Sequence, residues 1–247
     1  MLITSVDNKK IKKYVALKNS KSRKEEGLFL VEGMHMCYEA NKHNLLVDLL
    51  VLENTDISFS YANEITYVTS NVLKKVSSLS NPTTVIGVCR INKTNEIIGN
   101  HILLLDDIQD PGNIGTIIRS SKAFDIDTII LSTGSVDIYN DKVLRSTQGM
   151  IFDMNIISLD LLEIIPSLRD NGYMILGTNV NNGVDVRSIK VDKFALVMGN
   201  EGQGVKQEIQ DMCDKNLYIK MNPDCESLNV GVATSILLYE LNRSNYE

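Results

Sequence analysis

From His101 onward, short unbroken apolar runs alternate with segments of helical spacing. The runs are His101–Leu105, Thr128–Leu131, Met154–Ile157, Tyr173–Gly177, Phe194–Met198 and Leu217–Ile219. Between them the helical period predicts Ile114–Phe124, Val143–Thr147, Leu161–Asp170, Lys206–Cys213 and a closing helix Leu228–Leu241. Strands that are apolar throughout are buried on both faces, so this half predicts a parallel sheet covered by helices. Ligands of such sheets sit outside the carboxyl ends of the strands. The unusual loop residues of this chain all fall there.

The region before residue 101 reads as mixed α/β. Ile11, Tyr14 and Val15 follow helical spacing after Asn8, a candidate cap. Leu28–Val31 predicts a strand closing at Glu32-Gly33, Met34–Lys42 a helix, and Leu45–Leu52 and Ile65–Val68 two more strands. Val72–Leu79 is helical and is broken by Asn81-Pro82; Thr84–Cys89 is rich in β-formers. Residues 91–100 are polar with scattered isoleucines. The division this predicts is a small α/β domain over 1–92, a linker over 93–100 and a larger α/β domain over 101–247.

Composition narrows the class. The chain has 247 residues, enough for one large domain or two modest ones. No apolar run reaches the roughly 20 residues that span a bilayer, and Met1–Lys13 lacks a secretory apolar stretch. Cys37, Cys89, Cys213 and Cys225 lie far apart with no C-x-x-C pair, which argues against structural zinc or a disulfide framework. A cytoplasmic protein without membrane or metal is the expectation. The net charge of −6 hides an asymmetry: residues 1–26 hold eight Lys/Arg (Lys9, Lys10, Lys12, Lys13, Lys18, Lys21, Arg23, Lys24) against three acids. A cationic end on an acidic body can meet phosphates locally; a solvated helix face is the plainer alternative.

Three loops carry candidate chemistry. After strand 101–105 comes Asp106-Asp107-Ile108-Gln109-Asp110-Pro111-Gly112-Asn113, then a helix holding Arg119. Pro111-Gly112 turns the chain and Asn113 is a candidate cap. The string Asp106-Asp107-x-x-Asp110 resembles a diphosphate–magnesium motif, but Pro-Gly denies it the single helix face that motif needs. After strand 194–198 comes Gly199-Asn200-Glu201-Gly202-Gln203-Gly204. It is neither G-x-G-x-x-G nor a P-loop, and Glu201 repels phosphate, so a neutral or cationic ligand suits it better. The third runs from Ile219 to Thr234, where Ser227 or Asn229 can cap the last helix. Small residues at 231–235 there permit close packing.

Taken together and in order, DDIQDPGNIGTIIRSSKAF, VMGNEGQGV and IKMNPDCESLNVGVATSILLYE resemble the three motifs of the SpoU (TrmH-type) RNA ribose 2′-O-methyltransferases of the SPOUT superfamily, over about residues 101–241. The stretch SVDNKKIKKYVALKNSKSRKEEGLFLVEG is similar to the ribosomal-protein-like RNA-binding domain that precedes many members. The resemblance implies a parallel-sheet domain with a trefoil knot, S-adenosylmethionine as methyl donor, an RNA substrate (ribosomal RNA ahead of transfer RNA) and a homodimer formed through the C-terminal domain. By motif match, Thr178, Gly199, Asn200, Gly202, Ile219, Met221, Ser227 and Leu228 bind the donor. Arg119, Asn113, Glu201, Ser227 and Asn229 form the catalytic group. Arginine is a poor base, so Arg119 is assigned to orienting the hydroxyl and stabilising developing oxyanion charge, with proton removal by Arg119 assisted by RNA phosphate as the alternative. Lys9, Lys10, Lys12, Lys13, Arg23 and Arg145 are the expected RNA contacts. This chain departs from many relatives at Asn222-Pro223-Asp224-Cys225 and near Asp125, where they carry glycine, and at Gly231, where they carry serine. Base methylation and a non-catalytic RNA-binding module remain the competing readings.

Overall fold

The computed structural model describes residues 2–92, 94–180 and 183–246, apart from the side chain of Ser244. Met1, Lys93 and Glu247, at the edges of the expected segments, lie outside the described residues. The first stretch of chain gives β1 (Leu2–Ile3), α1 (Lys9–Ala16), α2 (Ser20–Glu26), β2 (Leu28–Glu32), α3 (Met34–Lys42), β3 (Leu46–Leu52), β4 (Thr66–Val68), α4 (Ser70–Val76) and β5 (Val85–Arg90). There follow β6 (His101–Leu105), α5 (Pro111–Ala123), β7 (Thr128–Leu131), α6 (Asp141–Ser146), β8 (Asn155–Ser158), α7 (Leu161–Asp170), β9 (Met174–Thr178) and β10 (Val184–Asp185). The last elements are β11 (Phe194–Met198), α8 (Gln207–Gln210), β12 (Lys215–Tyr218) and α9 (Val230–Leu241).

The chain divides into two compact units: residues 1–93 with 137–153, and residues 94–136 with 154–247. A single cut at residues 93–100 does not describe this, because 137–153 leaves the second unit and completes the first. The reason is chemical. Asp137 accepts hydrogen bonds from Ser20 Oγ at 2.6 Å and Arg23 Nη2 at 2.7 Å. Tyr139 lies 4.6 Å from the buried Phe29 ring. No local pattern in 137–153 announces a partner more than 100 residues away.

The first unit is a five-stranded mixed sheet, β1-β4-β3-β5-β2, with β5 antiparallel to both neighbours. Ile11, Tyr14 and Leu17 pack against Leu50, Val72, Ile86 and Val88 to form its core. Asn8 caps α1 as expected, its side chain accepting from Lys10 N. Helix α2 is an addition to the sequence reading: its residues SKSRKEE carry no apolar period. It is defined instead by the Asn19 cap and by Gly27 at φ 64°.

The second unit is a seven-stranded, all-parallel sheet in the order β10-β12-β9-β11-β6-β7-β8. The central strands are buried end to end, as their unbroken apolar runs predict. The chain runs outward from β6 through β7 to β8, then returns to the other side of β6. This makes the β6–β11 seam a point where strand order reverses, the usual place for a ligand. Register aligns the two carboxyl ends there, with Met198 opposite Leu105. Residues 94–100 are not a free linker. Ile98 exchanges hydrogen bonds with Thr128 Oγ1, and Asp127 accepts from Asn100 N at 2.7 Å. Among the described residues no helix is long and apolar enough to cross a membrane.

Candidate active site

Strand β6 delivers the chain to Asp106 and Asp107, and Asp107 takes a left-handed φ of 57°. Helix α5 then starts with Pro111 in its first turn, where a missing N–H costs nothing. The cap is Asp110, not Asn113: Asp110 Oδ1 accepts from Asn113 N at 2.8 Å. That frees the Asn113 side chain. Its Nδ2 donates to Glu201 Oε1 at 2.9 Å, and its Oδ1 accepts from Asn229 Nδ2 at 2.8 Å. Asn229 in turn caps α9, accepting from Gly231 N and Val232 N. Four residues from three distant loops thus form one hydrogen-bonded chain, from Asp110 through Asn113 to both Glu201 and Asn229.

Glu201 also accepts from the backbone of Asp110 at 3.2 Å and, more weakly, from Gln109 at 3.4 Å. Partial burial pushes its carboxyl up. The hydrogen bonds from Asn113 and from these backbone N–H groups outweigh burial and hold it below the usual glutamate range. An anion at the first turn of α5 also meets the positive end of that helix.

The loop carrying Glu201 is closed on itself. Asn200 N donates to Gly204 O and Gly204 N to Asn200 O, at 3.0 and 2.9 Å. Asn200 Oδ1 accepts from Gly202 N and Gln203 N inside the turn. Gly199 is required by this geometry, since a Cβ there would lie 2.1 Å from Gly204 C. At Gly204, by contrast, a Cβ would meet nothing within 4 Å, and at Gly202 only Asn200 Oδ1 at 3.7 Å. Those two glycines leave open space that a ligand can take.

A cavity of about 640 Å³ lies against this loop. It is lined by the ends of β9 and β11, the stretch 217–221 and residues 227–230 at the start of α9. Thr178, Gly199, Asn200, Gly202, Ile219, Met221, Ser227 and Leu228 all line it, as do Glu201 and Asn229. Sequence reasoning missed Val180, Gln207, Ala233 and Leu237, which also line it. Alone, these look like ordinary loop or core residues. The volume, the cradle at Gly202 and Gly204, the apolar wall and the lone carboxylate fit a nucleoside-sized cationic ligand.

Arg119 is not brought into this cluster. It is exposed on α5, outside the cavity lining, about 9 Å along the helix axis from Asn113. Among the described residues no hydrogen bond or ion pair engages it. The small residues of α9 face α5 within the chain: a Cβ on Gly231 would come within 3.1 Å of Thr116 Cγ2, and Ser235 Oγ lies 2.6 Å from Ser120 Oγ. Serine at position 231 would crowd Thr116, which accounts for glycine here. Asp125 sits at φ 53°, a conformation in which glycine is unstrained, as in the relatives' pattern.

The expected RNA contacts sort by engagement. Arg23 is 7% exposed, and its Nη1 donates to Leu17 O and Lys18 O while Nη2 holds Asp137. Lys10 Nζ pairs with the buried Asp48 at 2.6 Å and donates to Thr66 Oγ1. Both therefore have partners within the first unit. Lys12 and Lys13 make surface pairs with Asp7 and Glu26, and Lys9 is exposed. Arg145 pairs with Asp141 and lies in the first unit.

A model of the SpoU rRNA Methylase family matches residues 100–239, and one of the MRM3-like substrate binding domain matches residues 8–87. The chain belongs to the SpoU family. It is 34% identical over 243 residues to the 23S rRNA (guanosine(2553)-2′-O)-methyltransferase RlmP of Bacillus subtilis, covering 97% of this chain and 98% of that relative. An AdoMet-bound rRNA methyltransferase from Sinorhizobium meliloti superposes with a TM-score of 0.86 at 26% identity, over 99% of this chain and 98% of that one. An RNA 2′-O ribose methyltransferase superposes with a TM-score of 0.83 at 26% identity over the whole of both chains. In this SpoU chain the three motifs meet at the β6–β11 seam and the adjoining start of α9.

Proposed function

We propose that this chain transfers a methyl group from S-adenosylmethionine to a ribose 2′-hydroxyl of ribosomal RNA. One observation carries the reading: Asn113, Glu201 and Asn229 are locked together beside a cavity lined by every residue expected to hold the donor. The nearly full-length likeness to a 23S rRNA enzyme favours ribosomal over transfer RNA.

Bound in the cavity, the donor supplies an electrophilic methyl on a sulfonium. The protein's work is to hold an oxygen in line with it. Asn113 keeps one Nδ2 hydrogen after donating to Glu201, and its amide cannot flip because Asn229 donates to Oδ1. The free N–H is therefore fixed in place to orient a ribose oxygen. Glu201 anchors that amide and complements a cationic ligand. Ser227 holds the third loop at the cavity. Arg119, uncommitted and exposed, meets the RNA, orients the hydroxyl and stabilises negative charge as the proton leaves. Lys9, Lys12, Lys13 and Arg145 supply phosphate contacts; the surface pairs of Lys12, Lys13 and Arg145 are weak enough for phosphate to displace.

The finer assignments follow the same reading. The chain works in the cytoplasm as a homodimer through the C-terminal domain. Val232 and Tyr239, 46% and 45% exposed, sit seven residues apart on α9 with Ile236 between them, an apolar stripe that a second copy covers. A trefoil knot formed by the C-terminal segment accords with β11 entering between β6 and β9 before β12 adds beyond β9.

The test is nucleoside digestion and mass spectrometry of ribosomal RNA treated with the protein and donor. A methyl retained on the sugar fragment is expected. A methyl on the released base overturns the ribose assignment. Methylation of transfer RNA alone overturns the substrate class. No methyl on any RNA, despite donor binding, favours the non-catalytic module.

A further inference from the structure

Asp106 is fully buried, 0% exposed, yet it lines no part of the cavity. A buried carboxylate is costly unless it is paired, so its partners are informative. Its Oδ2 accepts from Lys206 N at 3.0 Å, and its Oδ1 lies 3.1 Å from Lys206 Nζ. One residue thus faces both oxygens: its amide hydrogen-bonds Oδ2, while its ammonium stands in ion-pair range of Oδ1, which takes no hydrogen bond. Lys206 follows the glycine loop directly. On the incoming side of that loop, Asp106 N donates to Met198 O at 2.8 Å, and Asp107 O accepts from Asn200 Nδ2 at 2.8 Å. Asp107 holds its left-handed φ beside this bond. Both legs of the 199–205 loop therefore end on the same dipeptide, Asp106-Asp107.

We propose that Asp106 is a positioning residue for the donor: its buried carboxylate, held by Lys206, sets the spacing of the two loop legs and so the shape of the donor cavity. This rests on the cavity being the donor site. Neither Asp106 nor Lys206 lines the cavity, so the effect of the pair passes through the loop that Glu201 and Gly202 occupy. Loss of the pair therefore loosens donor binding and leaves RNA binding, which uses other surfaces, alone.

The experiment measures S-adenosylhomocysteine affinity by calorimetry and RNA affinity by filter binding on the full chain. Asp106→Ala is expected to weaken S-adenosylhomocysteine at least 30-fold. Asp106→Asn retains an acceptor for Lys206 N and is expected to restore affinity to within about fivefold of wild type. RNA affinity should stay within twofold in both. If Asp106→Ala does not fold, Lys206→Met replaces it, with a tenfold loss expected. Variants that lower the melting temperature but bind S-adenosylhomocysteine as wild type does would overturn the proposal, as would an equal loss of RNA affinity. Failure of the wild-type protein to bind S-adenosylhomocysteine would instead overturn the reading of the cavity itself.

Discussion

The basic residues of the first unit and the polar loop residues of the second are equally conspicuous in the sequence, yet the fold uses them in opposite ways. In the first unit, Lys10 and Arg23 turn inward to the carboxylates of Asp48 and Asp137. In the second, Asn113, Glu201 and Asn229 turn toward one another, and Glu201 and Asn229 also line the cavity. The difference is one of reach. A long cation beside a half-buried acid gains more from pairing than from water, and its stem covers apolar surface. A short amide at a strand end can reach only another loop at the same sheet edge. Charge runs are therefore weak signals of a ligand. Short polar residues at the carboxyl ends of adjacent parallel strands are strong ones.

The comparison can be broken at several points. The largest effect is expected at Arg119, the one motif arginine left unengaged. Arg119→Ala should lower kcat by about 10³-fold while S-adenosylmethionine affinity stays within about threefold; near-normal turnover discards its role. Next, Arg23→Met leaves the Asp137 carboxylate with Ser20 Oγ and Tyr139 N but no cation, and should destabilise the protein by about 3 kcal/mol in urea unfolding. Its RNA affinity should keep the same salt slope. A flatter slope would return Arg23 to the RNA surface. Asn113→Ala cuts the chain between Glu201 and Asn229. Its kcat/KM should drop by about 10²-fold, whereas Lys10→Met should lower thermal stability and leave kcat/KM near normal.

Two smaller effects sharpen the contrast. Charge reversal at Lys9, Lys12 and Lys13 together should weaken RNA binding about tenfold at moderate salt and reduce the salt slope by roughly two. An unchanged slope moves the contact elsewhere. The smallest effect is acid sensitivity. Burial raises the Asp137 carboxyl, but hydrogen bonds from Ser20, Arg23 and Tyr139 N outweigh it and hold it low. A depressed folded-state value means the stabilisation is complete above the unfolded aspartate range, about 3.9. It is lost as pH falls from there through the lower folded value. Asp137→Asn should lose the part of the acid-stability slope below about pH 4 that this residue supplies, measured by tyrosine near-ultraviolet dichroism of the unit holding Tyr139.

Local patterns in the chain were enough to read every central strand of the second unit and the three loops of the candidate site. Unbroken apolar runs report burial on both faces directly, and Pro-Gly or closely spaced glycines report turns directly. Long-range contacts were needed to show that 137–153 joins the first unit, that Asp110 rather than Asn113 caps α5, and that Arg23 and Lys10 pair with Asp137 and Asp48. Each of those outcomes depends on a partner distant in the chain or on competition between neighbouring polar groups. No local period records which acceptor lies within 3 Å once the strands have paired.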